Sequence, residues 1–288
     1  MELRLHHVSV LAADVERTVN FYKHMLGMQV MARVEGDGGS SFFLKDGPEQ
    51  HGLSIEVIGP PFMPWMDERI ERYGPLRSHI AFQVDDVDEW YRKLVHRDLD
   101  ILTAPQSWRM TKGFGIRHAS GIIVQLFQFL EPCILMEGQP RRSLESELTY
   151  SLHHVSIVTD DMLSLEQFYQ EVLGLQTILD LKKKGIVFMA DPASISAKGR
   201  DTPSIEIIAP PGFWEREREF LERCGSGIDH LSFLVLDVDS AYEELRGKGA
   251  LFHVTPNDFG STRLAFFKDS DGLDIEIELP NLIHMFAV

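Results

Sequence analysis

The amino-acid sequence predicts an α+β fold made of two tandem copies of one domain, each copy built from two βαβββ units. Three observations predict it. Short segments with period-2 alternation adjoin amphipathic helical segments. A repeat runs through nearly the whole chain. The length of 288 residues suits two domains at roughly 100–200 residues each.

The repeat is direct. Leu5-His6-His7-Val8-Ser9-Val10 returns as Leu152-His153-His154-Val155-Ser156-Ile157, and Phe21-Tyr22 with Leu26-Gly27-Met28 returns as Phe168-Tyr169 with Leu173-Gly174-Leu175. Ser54-Ile55-Glu56-Val57-Ile58 returns as Ser204-Ile205-Glu206-Ile207-Ile208, after a small insertion in the second copy. Ser78-His79-Ile80-Ala81-Phe82 returns as Asp229-His230-Leu231-Ser232-Phe233. The boundaries predicted are residues 1–131 for the first domain, 132–148 for a Pro- and Arg-bearing linker, and 149–288 for the second.

Within the first copy, the alternating stretch Leu5 to Val10 reads as a strand and Asp14 as a helix N-cap. Val15, Val19, Tyr22 and Met25 then fall at helical spacing, and Gly27 ends the helix. Strands follow around Ser41–Leu44 and Leu53–Ile58. The pattern restarts with a strand at His79–Val84, a helix at Val87–Val95, and strands around Ile101, Gly115–His118 and Ile122–Phe127.

Composition narrows the function. With 44 acidic against 28 basic residues the net charge is −16, which repels a polyanion and argues against nucleic acid. The short run Lys182-Lys183-Lys184 reads as a solvated turn. Two cysteines, Cys133 and Cys224, support neither a disulfide framework nor a Cys metal cluster. No apolar run approaches the roughly 18 residues that suggest a membrane span, and no basic-then-apolar leader opens the sequence. The expectation is a soluble, cytoplasmic protein that handles a small molecule, with a homodimer possible.

Four polar positions recur inside strands: His154, Glu206, His230 and Glu276 in the second copy, and His7, Glu56, His79 and Gln125 in the first. Strand alternation places Leu152, His154, Ser156 and Val158 on one face. It likewise groups Ser204, Glu206 and Ile208, and Asp274, Glu276 and Glu278, each set with isoleucines behind. A lone strand His or Glu is usually structural or solvated. Four ionisable groups backed by an apolar face need a compensating cation. Two imidazoles with two carboxylates form a nitrogen–oxygen donor set suited to one divalent Fe, Mn, Ni, Co or Zn ion per chain. Gln125 removes a charge from the first set, making it the weaker site. His6 and His153 fall on the opposite face and read as structural, and His118 and His253 as surface residues.

These residues resemble the vicinal oxygen chelate superfamily, which includes glyoxalase I, methylmalonyl-CoA epimerase, fosfomycin-resistance proteins and type I extradiol dioxygenases. The resemblance rests on His154-Val155 with Asp161, Phe168-Tyr169, Leu173-Gly174-Leu175, Ile205-Glu206-Ile207, Asp229-His230-Leu231-Ser232-Phe233, and Asp269-Ser270-Asp271-Gly272 leading to Glu276. It implies glyoxalase-like domains whose two units form a curved, partly open mixed sheet around a metal site. It also implies chemistry on a small molecule with vicinal oxygens. In the glyoxalase and epimerase pattern all four of His154, Glu206, His230 and Glu276 hold metal, and a carboxylate, Glu206 or Glu276, moves a proton through an enediolate. This lyase or isomerase reading comes first. The alternative is an Fe(II)-dependent extradiol-type dioxygenase using His154, His230 and Glu276. That family places an acid–base His and a Tyr where this chain has approximately Asn257 and Phe266. Non-catalytic small-molecule binding is a third possibility, and pairing of sites within or between the copies is left open.

Overall fold

The computed structural model describes residues 2–36, 39–46, 52–60, 79–108, 111–130, 150–198, 202–212, 215–260 and 262–280. The first unit runs β1 (Leu3–Leu11), α1 (Val15–Leu26), β2 (Gln29–Gly36), β3 (Gly39–Lys45) and β4 (Ser54–Ile58). The second runs β5 (Ile80–Val84), α2 (Val87–Leu94), β6 (Asp100–Ile101), β7 (Gln106–Trp108), β8 (Thr111–Arg117) and β9 (Ile123–Phe129). The third has β10 (Ser151–Val158), α3 (Met162–Phe168) with a π turn at Tyr169–Leu173, β11 (Gln176–Leu181), β12 (Ile186–Ala190), α4 (Pro192–Lys198) and β13 (Ser204–Ile208). After α5 (Glu215–Cys224), the fourth comprises β14 (Gly227–Leu234), α6 (Val238–Gly247), β15 (Phe252–Phe259), β16 (Thr262–Lys268) and β17 (Asp274–Pro280). The linker expected at 132–148 lies outside the described residues.

Local chemistry sets the helix ends as the sequence predicts. The Asp14 carboxylate accepts from the Arg17 N–H, and Gly27 sits at φ 65°, where a side chain would be strained. Asp161 and Gly174 (φ 75°) do the same for the repeat. The Lys182–Lys184 run forms an exposed 3-10 turn. No helix is long and apolar enough to cross a membrane among the described residues.

Each copy forms its own open, mixed sheet, ordered β2-β3-β4-β1-β5-β9-β8-β6 in the first (with β7 on β8) and β11-β12-β13-β10-β14-β17-β16-β15 in the second. The central strands of the second sheet pair β13 parallel to β10, β10 antiparallel to β14 and β14 parallel to β17. All four elements bearing the candidate ligands are therefore neighbours. Behind them, Val155, Ile157, Ile205, Ile207, Leu231, Phe233, Ile275 and Ile277 join one apolar core shared by both copies.

The alternation expected for β10 is interrupted. A register shift between Leu152 and His154 turns Leu152 into the core with Val155, so Leu152 does not share the His154 face. The bulge also brings the His153 ring beside His154 and Glu278, whereas unbroken alternation would carry it to the opposite face. β1 has the same shift between Leu5 and His7, and the His6 and His7 Nδ1 atoms lie 2.9 Å apart. Each bulged strand is held by the other copy. The Leu5 N–H donates to Asp191 Oδ2 at 3.2 Å and the Leu152 N–H to Asp46 Oδ2 at 2.7 Å.

His118 is a further correction. It is not a surface residue but buried (7% exposed), with its ring against Phe168 and its Nε2 3.2 Å from Ser164 Oγ in the other copy. His253 is exposed, as expected, and pairs with Asp274 at 3.3 Å.

Candidate metal centre

Sheet register explains how four side chains from four strands meet. Glu206, Ser156 and His230 lie across β13, β10 and β14 in one row, and His154, Ser232 and Glu276 lie across β10, β14 and β17 in the next. Neighbouring strands are roughly 4.8 Å apart, so long side chains two strands apart lean together over the small residue between them. Ser156 and Ser232, both fully buried, are those spacers.

The convergence is close. His154 Nε2 lies 3.4 Å from Glu206 Oε2 and 3.5 Å from Glu276 Oε2; His230 Nε2 lies 3.5 Å from the first and 3.3 Å from the second. All four residues are at most 8% exposed. Metal–donor bonds of roughly 2.0–2.2 Å put adjacent donors roughly 3–3.5 Å apart, which is the spacing seen. The Nε2 atoms of His154 and His230 are buried without any hydrogen-bond partner. Two orphaned imidazole nitrogens facing two carboxylates fit a divalent cation.

The electrostatics demand positive charge at this point. Burial works to lower the His154 and His230 pKa values, yet their carboxylate partners outweigh it. Glu206 and Glu278 hold His154 well above its ordinary value, and Asp229 and Glu276 raise His230 to about 9. Burial likewise works to raise the Glu206 carboxyl, but His154 and His230 keep it below the ordinary carboxylate value. Without a metal, protons on the imidazoles supply the charge that the carboxylates require.

Outer groups fix each ring. His230 Nδ1 is 2.9 Å from Asp229 Oδ2, and His154 Nδ1 is 3.3 Å from Glu278 Oε1, which also accepts from Ser232 Oγ at 3.0 Å. A carboxylate on Nδ1–H leaves the Nε2 lone pair facing the centre. Phe188 and Phe266 set their rings edge-on to His154 and His230, at 5.2 and 5.3 Å. Asp229 adjoins His230 in sequence and Glu278 shares the alternation face of Glu276, but neither spacing by itself assigns them this role. Asn257 is half-buried, and its side-chain amide donates to its own strand at Thr255 O.

The first copy places Glu56 beside Ser9 and sets Ala81 between His7 and Gln125, while His79, just ahead of β5, accepts from the Ser9 N–H through its carbonyl at 2.9 Å. Here the cluster closes on itself. His79 Nε2 is 3.0 Å from Gln125 Oε1 and 3.1 Å from Ser9 Oγ, and Ser9 Oγ donates to Glu56. His7 Nε2, 3.3 Å from Glu56 Oε2, is buried without a hydrogen-bond partner. Burial works against the Glu56 charge, but His7, His79 and Ser9 bring its pKa down to about 2.

Solved structures share this architecture. A triple-substituted 4-hydroxymandelate synthase from Streptomyces coelicolor superposes with a TM-score of 0.68 at 17% identity, covering 96% of this chain and 92% of that one. A Mn(II)-bound glyoxalase from Novosphingobium aromaticivorans gives 0.63 at 15% identity, covering 96% and 81%. The 2,3-dioxygenase LapB from Pseudomonas sp. KL28 gives 0.62 at 15%, covering 96% and 91%. At such identities these show the fold. In sequence, Bacillus subtilis YwkD is 30% identical over 96 residues, 33% of this chain and 73% of that protein. The Arabidopsis thaliana protein Glyoxylase I 4 is 28% identical over 100 residues, 35% of this chain and 55% of its own length. The family model matches twice, at residues 4–126 and 151–277, so the chain belongs to the Glyoxalase/Bleomycin resistance protein/Dioxygenase superfamily.

Proposed function

We propose that this protein is a divalent-metal-dependent lyase or isomerase whose principal site is His154, Glu206, His230 and Glu276. It would act on a small molecule bearing adjacent oxygens. The observation that carries this reading is that both Glu206 and Glu276 approach both imidazoles, within 3.3–3.5 Å. A site with two carboxylates can hold a cation and still offer a base. When bound, the cation acts as a Lewis acid toward the substrate oxygen. Glu206 or Glu276 removes the proton from the carbon next to that oxygen and returns it to the neighbouring carbon or the opposite face. The overall reaction is redox-neutral and needs no external oxidant or reductant. Phe188 and Phe266 flank the two imidazoles, limiting water beside the proton being moved.

A ring-cleaving dioxygenase using His154, His230 and Glu276 is the second reading. One observation favours it: two copies occur in one chain, and only the second leaves both imidazole Nε2 atoms without a partner. Against it, Asn257 is turned to its own strand and Phe266 carries no ionisable group.

Deuterium exchange separates the two. Protein loaded in turn with Ni, Co, Zn, Mn or Fe(II) is incubated in D2O with hemithioacetals and acyl-CoA esters, and proton loss is followed by NMR. The lyase or isomerase reading expects exchange that Glu206→Gln or Glu276→Gln abolishes. Oxygen uptake with catechols by the Fe(II) form, without exchange, would replace it with the dioxygenase.

A further inference from the structure

We propose that Arg216 is a positioning residue for the metal centre, holding the His230 imidazole in place through Asp229 and Phe266. This rests on the metal-dependent reading above. Arg216 stands in the first turn of α5, outside the strands that carry the candidate ligands. Its guanidinium lies 2.9 Å from Asp229 Oδ2 and 3.1 Å from Asp274 Oδ2, and also pairs with Glu217. The same Asp229 oxygen is 2.9 Å from His230 Nδ1. The guanidinium carbon Cζ lies over the Phe266 ring, 4.3 Å from its centroid, and Phe266 meets the His230 ring edge-on at 5.3 Å, 87° between planes.

One side chain thus reaches His230 by two routes. Through Asp229 it governs the Nδ1 hydrogen bond that fixes the tautomer and frees Nε2 for a cation. Through Phe266 it governs the tilt of the ring. Asp229 is 1% exposed, and a carboxylate that deep requires a cation beside it. A planar fork can meet two carboxylates while stacking on an aromatic face; an ammonium cannot. The copy with the self-closed cluster lacks the parts: at the matching positions Ser78 replaces Asp229 and Gly115 replaces Phe266.

The test uses the full-length protein and Co2+ alone. Affinity is read by competition with a coloured chelator, coordination by the visible spectrum of the bound ion, and folding by circular dichroism. R216M should weaken Co2+ binding roughly 10–100-fold and alter the spectrum, with R216K recovering part of the loss. D229N should cause a comparable loss, and R216M should add little to it, because both act along one path. Wild-type affinity and spectrum in R216M would overturn the proposal, as would fully additive losses. If R216M does not fold, D229N decides: less than a tenfold loss overturns it. Wild-type protein that binds no Co2+ would instead sink the metal reading itself.

Discussion

The two copies place the same kinds of side chain at the same register positions, yet their centres differ in what the imidazoles face. In the second copy the Nε2 atoms of His154 and His230 have no hydrogen-bond partner and look onto two carboxylates. In the first, the Gln125 amide and Ser9 engage His79 Nε2. The differences extend outward: Phe127 stands where the second copy has Glu278, Ser78 where it has Asp229, and Gly115 where it has Phe266. A cluster lacking the second carboxylate and the outer acids can satisfy itself with hydrogen bonds. One that keeps them has surplus negative charge that only a cation or protons can answer.

The largest expected effect tests that contrast directly. Glu276→Ala should remove most of the tightly bound metal, a greater loss than the roughly 10–100-fold that an outer partner costs. Gln125→Ala should remove little. Elemental analysis of protein purified without oxygen measures both, and equal metal content in wild type and the Glu276 variant would reject the site. The reverse experiment follows. Gln125→Glu with Phe127→Glu should raise metal content toward two equivalents per chain. If the doubly substituted protein folds and still holds one, the first copy's closure depends on more than these two positions.

The repeat, the helix caps and the strand residues of both clusters were legible in the sequence because each depends on local spacing. What escaped depends on irregularity or distance. Period-2 alternation assumes an unbroken strand, so the bulge that sends Leu152 into the core and His153 toward Glu278 was invisible. His118 looked isolated because Phe168 and Ser164, which cover it, belong to the other copy. Arg216 sits in a charged helix whose sequence gives no reason to connect it with His230.

The reciprocal clamps sharpen the comparison between copies at an intermediate scale. Asp46 of the first copy holds the bulged Leu152 N–H, two residues before His154. Asp46→Ala should destabilise the protein by about 1–3 kcal/mol, the cost of a backbone donor losing a charged partner. Asp46→Asn, whose amide oxygen still accepts, should cost less. Asp191 is fully buried and also caps α4 by accepting from Ser194, so Asp191→Ala should cost more than Asp46→Ala. Denaturant unfolding of the four proteins ranks them, and Asp46→Ala indistinguishable from wild type would dismiss the clamp.

The smallest effect concerns the turns where the copies meet. His118 and Asp269 hold matching positions. Asp269 accepts from Tyr22 Oη at 2.9 Å, whereas His118 Nδ1 accepts from the Ser120 N–H at 3.1 Å. An imidazole nitrogen accepting a backbone N–H is unprotonated, and burial holds His118 below its ordinary value of 6.5 despite the nearby Asp161 carboxylate. A histidine depressed in the fold adds no pH dependence while both states are neutral. As pH falls below 6.5 the unfolded chain takes up a proton that the folded turn resists, so stability is lost. For Asp269 the shift is upward, chiefly through burial. Its contribution is therefore present at low pH and lost as pH rises through the folded value, opposite in sense. His118→Asn, which can keep the Ser120 bond, should leave the melting temperature near pH 7.5 little changed. It should also lessen the decline between pH 6.5 and 5, and an identical decline in both proteins would assign that loss to other histidines.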